Sequence, residues 1–251
     1  MSAFFDEQVC RNCGEALHTR YCQSCGQKKA ERFGSTHLRD EAWEKIRWFE
    51  ADMAKSAFNV MLRPGRVARE YVEGKRKSHV NPLKLLLAAI VILLVVIAQT
   101  GYLTSSNQTL TKAITLVQSY SKWSFSLGIL AVLIASYLTF WRRGGYNVIE
   151  HLVLATYAHF AIITVNIINL LPLLIGSTPE RVATHRVYSG IYMDWLEGSI
   201  VFLAFGQFFA IDWKRQWWWP AIGAIVFHLV KEGLLYLYAR AVIRIVLAQL
   251  T

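Results

Sequence analysis

The chain has 251 residues, 54% hydrophobic and 18% charged, with a formal net charge of +10. Its apolar residues gather in long blocks, which excludes an ordinary soluble globular domain. The first block opens near Pro82, too far along for a cleavable secretory leader, so a membrane protein without one is expected.

The only four cysteines stand at the start, as Cys10-x-x-Cys13, eight residues, then Cys22-x-x-Cys25. Gly14 and Gly26 follow the second sulfur of each pair, where glycine takes the backbone angles that a metal knuckle needs. Two such knuckles turn four thiolates onto one tetrahedral Zn²⁺, which predicts a zinc ribbon over residues 1–30. Four ligands close the coordination shell, so this zinc is structural and offers no open position for chemistry. His18 is surplus to the ligand count and reads as solvent-exposed. Thiolate ligands persist in a reducing compartment, which places the N-terminus in the cytosol. The ribbon lacks a dense basic and aromatic surface, which argues against nucleic acid and leaves a cytosolic protein as its docking partner.

Residues 31–81 read as an amphipathic, basic juxtamembrane region. Thr36 is placed to cap a helix whose apolar stripe runs Leu38, Ala42, Ile46, Phe49, Met53, Ala57, Val60 at helical spacing. Arg63-Pro64-Gly65 ends that helix, and Pro64 suits the first turn of another. Arg63, Arg66, Arg69, Lys75, Arg76, Lys77 and Lys84 outnumber Glu70 and Glu73 just before the membrane. Near an anionic leaflet each is worth about 1 kcal/mol, so anionic lipid headgroups are the expected partner. The cluster serves either to set topology and anchor the helix or to form a headgroup site beside a helix start.

Residues 82–251 read as a transmembrane domain of five helices, over about 82–103, 123–141, 148–175, 191–211 and 217–238. Tryptophans near the block ends, Trp123, Trp141, Trp213 and Trp217 to Trp219, suit the headgroup level. The third block is long enough to tilt or to be interrupted near Pro172. Arg142-Arg143 and Lys214-Arg215 lie in short loops and belong inside by the positive-inside rule. Five spans then leave the N-terminus cytoplasmic and the C-terminus outside. The fold class expected is an α-helical polytopic membrane protein headed by a zinc ribbon and amphipathic helices.

The Cys-x-x-Cys-Gly pair, Gly26-Gln27-Lys28, Arg32-Phe33, Met61-Leu62-Arg63-Pro64-Gly65, Arg69-Glu70-Tyr71, Gly74-Lys75-Arg76 and Asn81-Pro82 form a signature. It resembles a bacterial family of zinc-ribbon-headed, multi-pass inner-membrane proteins labelled only as a domain of unknown function. The similarity extends to Tyr146-Asn147-Val148-Ile149-Glu150-His151-Leu152. The resemblance implies the architecture and a bacterial inner membrane, and it implies no activity.

Within the membrane, His151, His159, Asn166 and Asn169 fall on one face of span three, and His228, Lys231 and Glu232 on one face of span five. Glu197 on span four reaches a similar depth. Ionisable groups there cost several kcal/mol unless paired, so the cluster is expected to meet near the midplane. It would lock helices together, carry protons or a cation, or bind a metal through His228, Glu232 and His159 for catalysis. No hydrolase elbow, phosphate loop or dinucleotide fingerprint accompanies it. The function expected first is a membrane accessory or regulatory protein whose ribbon docks a cytosolic partner. A small transporter using the midplane cluster is the alternative, and a metal-dependent membrane enzyme comes third. A cavity where spans three, four and five meet would favour transport or catalysis over simple packing.

Overall fold

The computed structural model describes residues 9–29, 52–102 and 124–250. The helix expected from Thr36 through Phe49, the Arg32-Phe33 pair and Trp123 lie outside these residues. Among the described residues there are seven α-helices and no strand, only two isolated antiparallel bridges in the cysteine-rich head.

Helix α1 (Asp52–Leu62) gives way at Arg63 to α2 (Pro64–Val72), with Pro64 in the first turn, where its missing N–H costs nothing. A loop over 73–81 leads to α3 (Pro82–Thr100), which Asn81 caps by accepting from the Leu83 amide at 2.9 Å. Helix α4 spans Ser124–Phe140. Helix α5 (Val148–Leu170) opens on a capping box. There Glu150 N–H donates to Asn147 Oδ1 at 2.9 Å and Asn147 N–H to Glu150 Oε2 at 2.7 Å. Pro172 cannot continue the α-helical ladder, and α5 tightens into a 3₁₀ turn over Leu171–Ile175. Thr178 and Pro179 then start α6 (Pro179–Phe208). Helix α7 (Trp218–Leu250) continues unbroken past 238, where the fifth span was expected to end.

Among the described residues, three helical stretches are long and apolar enough to cross a membrane: Pro82–Thr100, Val148–Ile175 and Trp218–Ile245. The apolar part of α4, Leu127–Phe140, is shorter, and α6 carries charged residues through its first half. By length and composition, three of the five expected spans meet this measure among the described residues.

Helix α5 is the axis of the bundle, with its residues from Val153 to Ile163 all buried, and α2, α3, α4 and α6 pack around it. Helix α7 closes the outside by packing on α4 and α6. At one end, Phe140 stacks on Phe209 with centroids 4.0 Å apart and meets Phe205 edge-on at 5.6 Å. The same end gathers the two basic loops, since Arg143 Nη1 donates to Gln216 Oε1 at 2.9 Å and its guanidinium lies 4.5 Å from the Trp219 ring centre.

The core does not stop at the first membrane helix. Val60, Val67, Ala68, Tyr71 and Val72 belong to the same buried cluster as the long helices. Tyr157 OH donates to the Val80 carbonyl at 2.7 Å, and Tyr71 meets the Tyr157 ring edge-on at 5.8 Å. Helix α2 is thus inserted between α5 and α6. Gly65 makes this close approach possible, because a Cβ there would lie 1.9 Å from the Ala204 carbonyl oxygen. Arg63 makes no side-chain cap, and Gln207 Oε1 of α6 takes that role, accepting from the Gly65 amide at 3.1 Å and the Arg66 amide at 3.3 Å.

Candidate functional site

The cysteine head is two copies of one turn. Cys10 N–H donates to Glu15 O and Gly14 N–H to Cys10 O; Cys22 N–H donates to Gln27 O and Gly26 N–H to Cys22 O, all within 2.7–2.8 Å. Gly14 and Gly26 take φ of 81° and 70°, which L side chains rarely adopt. The turns bring the four sulfurs within 4.8 Å of one another, so Cys10, Cys13, Cys22 and Cys25 could together hold a metal ion. Cys10 and Cys25 sulfurs are 3.6 Å apart and those of Cys13 and Cys22 3.5 Å, with all four thiols free of disulfides. Sulfurs bound at 2.3 Å to one tetrahedral ion would lie about 3.8 Å apart, so the set fits that chemistry. The thiols interact without a metal: the Gln27 backbone hydrogen bond draws Cys25 down to about 7, while Cys13 is pushed up to about 12. His18 is exposed.

The second knuckle is fastened to the loop before α3. The Gln27 amide donates to the Gly74 carbonyl at 2.8 Å and its carbonyl accepts from the Lys77 backbone at 3.1 Å, so one side chain satisfies both sides of the loop. Lys77 Nζ donates to the Cys25 carbonyl, and Ser78 Oγ to Asn12 Oδ1.

Most of the juxtamembrane basic residues already have partners. Arg66 pairs with Glu70 at 3.1 Å, Arg69 with Glu73 at 2.7 Å, and Glu70 also takes His79 at 3.0 Å and Lys75 at 4.0 Å. Burial works against ionisation of Glu70, yet its bonds to Arg66 and His79 and the Lys75 charge hold its carboxyl below the usual range. Burial pushes Tyr146, facing Arg69 and Glu73, up to about 12. The start of α2, beside which a headgroup site was one expectation, has two of its amides bonded to Gln207. Arg63 remains exposed, and Arg76 is half-buried.

The residues expected near the midplane divide into three groups. Lys231 Nζ donates to Asp194 Oδ1 at 2.5 Å and to Glu197 Oε2 at 3.1 Å. Asn166 Nδ2 reaches Glu197 Oε1 at 3.4 Å. His159, Asn166, Asn169, Glu197, Lys231 and Arg186 line one partly open cavity of about 480 Å³, whose remaining wall is largely apolar. The His159 ring packs onto Gly128 of α4, where a Cβ would come within 2.2 Å of the ring. Polar side chains of α5, α6 and α7 thus meet around a space.

His228 and Glu232 do not line that cavity. They sit on the exposed side of α7 with Asp194, their ligand atoms within 4.8 Å of one another. His151 is separate again. It is fully buried near the basic loops, with Nδ1 2.5 Å from Ser136 Oγ and the rings of Tyr137 and Phe209 each 5.6 Å away.

Asp194 and Gln207 are the residues that sequence reading missed. Asp194 stands one turn before Glu197, a spacing that puts both on one helix face. Gln207 is a lone polar residue in an apolar run, and nothing local connects it with a helix start 142 positions earlier.

Residues 50–94 match the family model described as a protein of unknown function (DUF3667), a stretch that takes in α1, α2, the 73–81 loop and most of α3. The match fits the expectation of an uncharacterised family, and the cysteine head lies outside the matched stretch. Comparison with the curated proteins and with the solved structures finds no match.

Proposed function

We propose that the chain is a small transport protein of the bacterial inner membrane, passing a proton or a cation through the cavity among α5, α6 and α7. The observation that carries this reading is the Lys231–Glu197 ion pair in the wall of a partly open cavity that His159 and Asn166 also line, with Asp194 outside that wall on the other side of the same ammonium. Polar groups that only lock helices together pack without such a space, and a paired, hydrated charge beside a cavity is the arrangement transport uses. The ribbon's second knuckle is taken up by the chain's own loop, which supports this reading over one in which the ribbon docks a cytosolic partner.

In this reading five helices cross the bilayer, because α4 and α6 pack alongside the three long apolar helices and share their core. The Arg143–Gln216 contact supports one common side for both basic loops, and positive-inside charge makes that side cytoplasmic. The cysteine head, attached at the same end through Gln27 and the 73–81 loop, is then a structural zinc ribbon in the cytosol. Anionic headgroups meet the exposed Arg63, Lys75 and Lys77 there.

The test is flux in vesicles holding the purified full chain, with a pH dye under a potassium diffusion potential and an internal dye quenched by Mn²⁺. Flux above empty vesicles, lost in folded Glu197→Gln and His159→Ala proteins, supports the reading. Neither proton nor Mn²⁺ movement in the wild type overturns it.

A further inference from the structure

We infer that Asp194, His228 and Glu232 form a second metal site, distinct from the cysteine head, for a divalent cation bound by one imidazole and two carboxylates. The inference deepens the transport reading and rests on its placement of α6 and α7 in the bilayer. His228 and Glu232 are four residues apart, so both project from one face of α7, and α6 brings Asp194 against them. The three ligand atoms lie within 4.8 Å of one another, and no hydrogen bond or ion pair reaches His228 or Glu232 among the described residues.

A mixed imidazole and carboxylate set so disposed is the donor chemistry of Mn²⁺, Fe²⁺ or Zn²⁺. Three protein ligands leave positions open, as an exchangeable or transported ion requires.

Depth and charge point the same way. His228 and Glu232 lie roughly 15 and 21 Å along the α7 axis from Trp218, well inside the hydrocarbon. All three side chains are exposed on the bundle surface, so they would face lipid if bare. Asp194, Glu197 and Glu232 bring three negative charges against the positive charges of Lys231 and of Arg186, which lies two turns earlier on α6 against Tyr102. The carboxylates outnumber the cations, and a bound metal ion offsets the excess negative charge. Asp194 also links the site to the cavity, since it already accepts from Lys231 at 2.5 Å. A cation on Asp194 competes with Lys231 for that carboxylate, so occupancy of the surface site alters the charge presented inside.

Mn²⁺ separates the two sites, because thiolates select zinc and this triad accepts manganese. Equilibrium dialysis and the Mn²⁺ electron paramagnetic resonance signal are read on the purified full chain in detergent. One equivalent is expected in the wild type and in a Cys10→Ser/Cys22→Ser chain, with binding at least tenfold weaker in His228→Ala and Glu232→Gln. Glu232→Asp, which keeps the charge, retains measurable binding and separates loss of a ligand from loss of fold. No bound Mn²⁺ in the wild type overturns the site, as does unchanged binding in His228→Ala, which would mark another copy of the chain or lipid as what covers this face. Bound Mn²⁺ without vesicle flux keeps the site and removes the transport reading.

Discussion

Gly65 of α2 lies so close to Ala204 of α6 that a methyl group on it would come within 1.9 Å of the Ala204 carbonyl oxygen. The obstruction is backbone, which cannot rotate aside as a flexible side chain would. Gly65→Ala should therefore push α2 away from α6 and cost about 1–3 kcal/mol, the usual range for overpacking. Gln207→Leu removes the acceptor for two amides at the same joint and should cost about 1–2 kcal/mol. Thermal unfolding of the detergent-solubilised chain reads both. Because the two sites share one contact, the double variant should lose less than the sum.

The clasp between ribbon and loop rests on a single side chain. Gln27→Ala removes the donor to Gly74 and the acceptor from Lys77 while leaving all four cysteines in place. Zinc content should stay at the wild-type level. Amide hydrogen exchange should rise at 74–77, where Gly74 is buried and the Lys77 amide loses its acceptor. Loss of zinc in this variant, or unchanged exchange at 74–77, would refute the clasp.

Glu70 gives the juxtamembrane region a defined response to acid. Its folded carboxyl titrates below the ordinary value of 4.5 because Arg66, His79 and Lys75 favour the charged form. The unfolded chain binds the proton more readily, so stability from this group is present above pH 4.5 and lost as the pH falls through the folded value. Arg66 and Lys75 are well exposed, so solvent and salt screen the effect and the contribution is small. Between pH 6 and pH 3 the wild type should lose more stability than Glu70→Gln, whose side chain does not titrate. Equal losses in the two proteins would show that the charge on Glu70 stabilises nothing.

How much of this could be read from the chain depends on the reach of each interaction. Prolines 64, 82 and 172 mark helix starts or breaks through their own missing N–H, so those boundaries were legible from local chemistry, whereas α6 starts at Pro179, twelve residues before the start expected near 191. The convergence of four sulfurs was legible for the same reason, since each knuckle closes within five residues. Helical periodicity placed His159, Asn166, Glu197 and Lys231 at related depths, and they meet around one cavity. It could not separate His228 and Glu232 from that group, because a rotation of α7 about its axis decides which side faces the cavity. His151 was grouped by its face on α5, although it stands more than two turns from His159 and is engaged by Ser136. The Gln207 cap and the Tyr157 bond to Val80 join positions 142 and 77 apart, and only the packed bundle specifies them.

Lys231 carries the last prediction, because it holds two carboxylates on α6 from its place on α7. Its side chain and that of Glu197 are 13% and 16% exposed, whereas Asp194 is 45% exposed, so the inner pair is the costly one to break. Lys231→Met leaves Glu197 without its cation in a low-dielectric setting and should cost up to about 3 kcal/mol. Adding Glu197→Gln removes the stranded charge, so the double variant should recover part of that loss. Thermal unfolding reads the stability, and vesicle flux reads the function. If the bridge serves packing alone, flux should recover together with stability in the double variant. If the charges carry the ion, the double variant should be folded and silent.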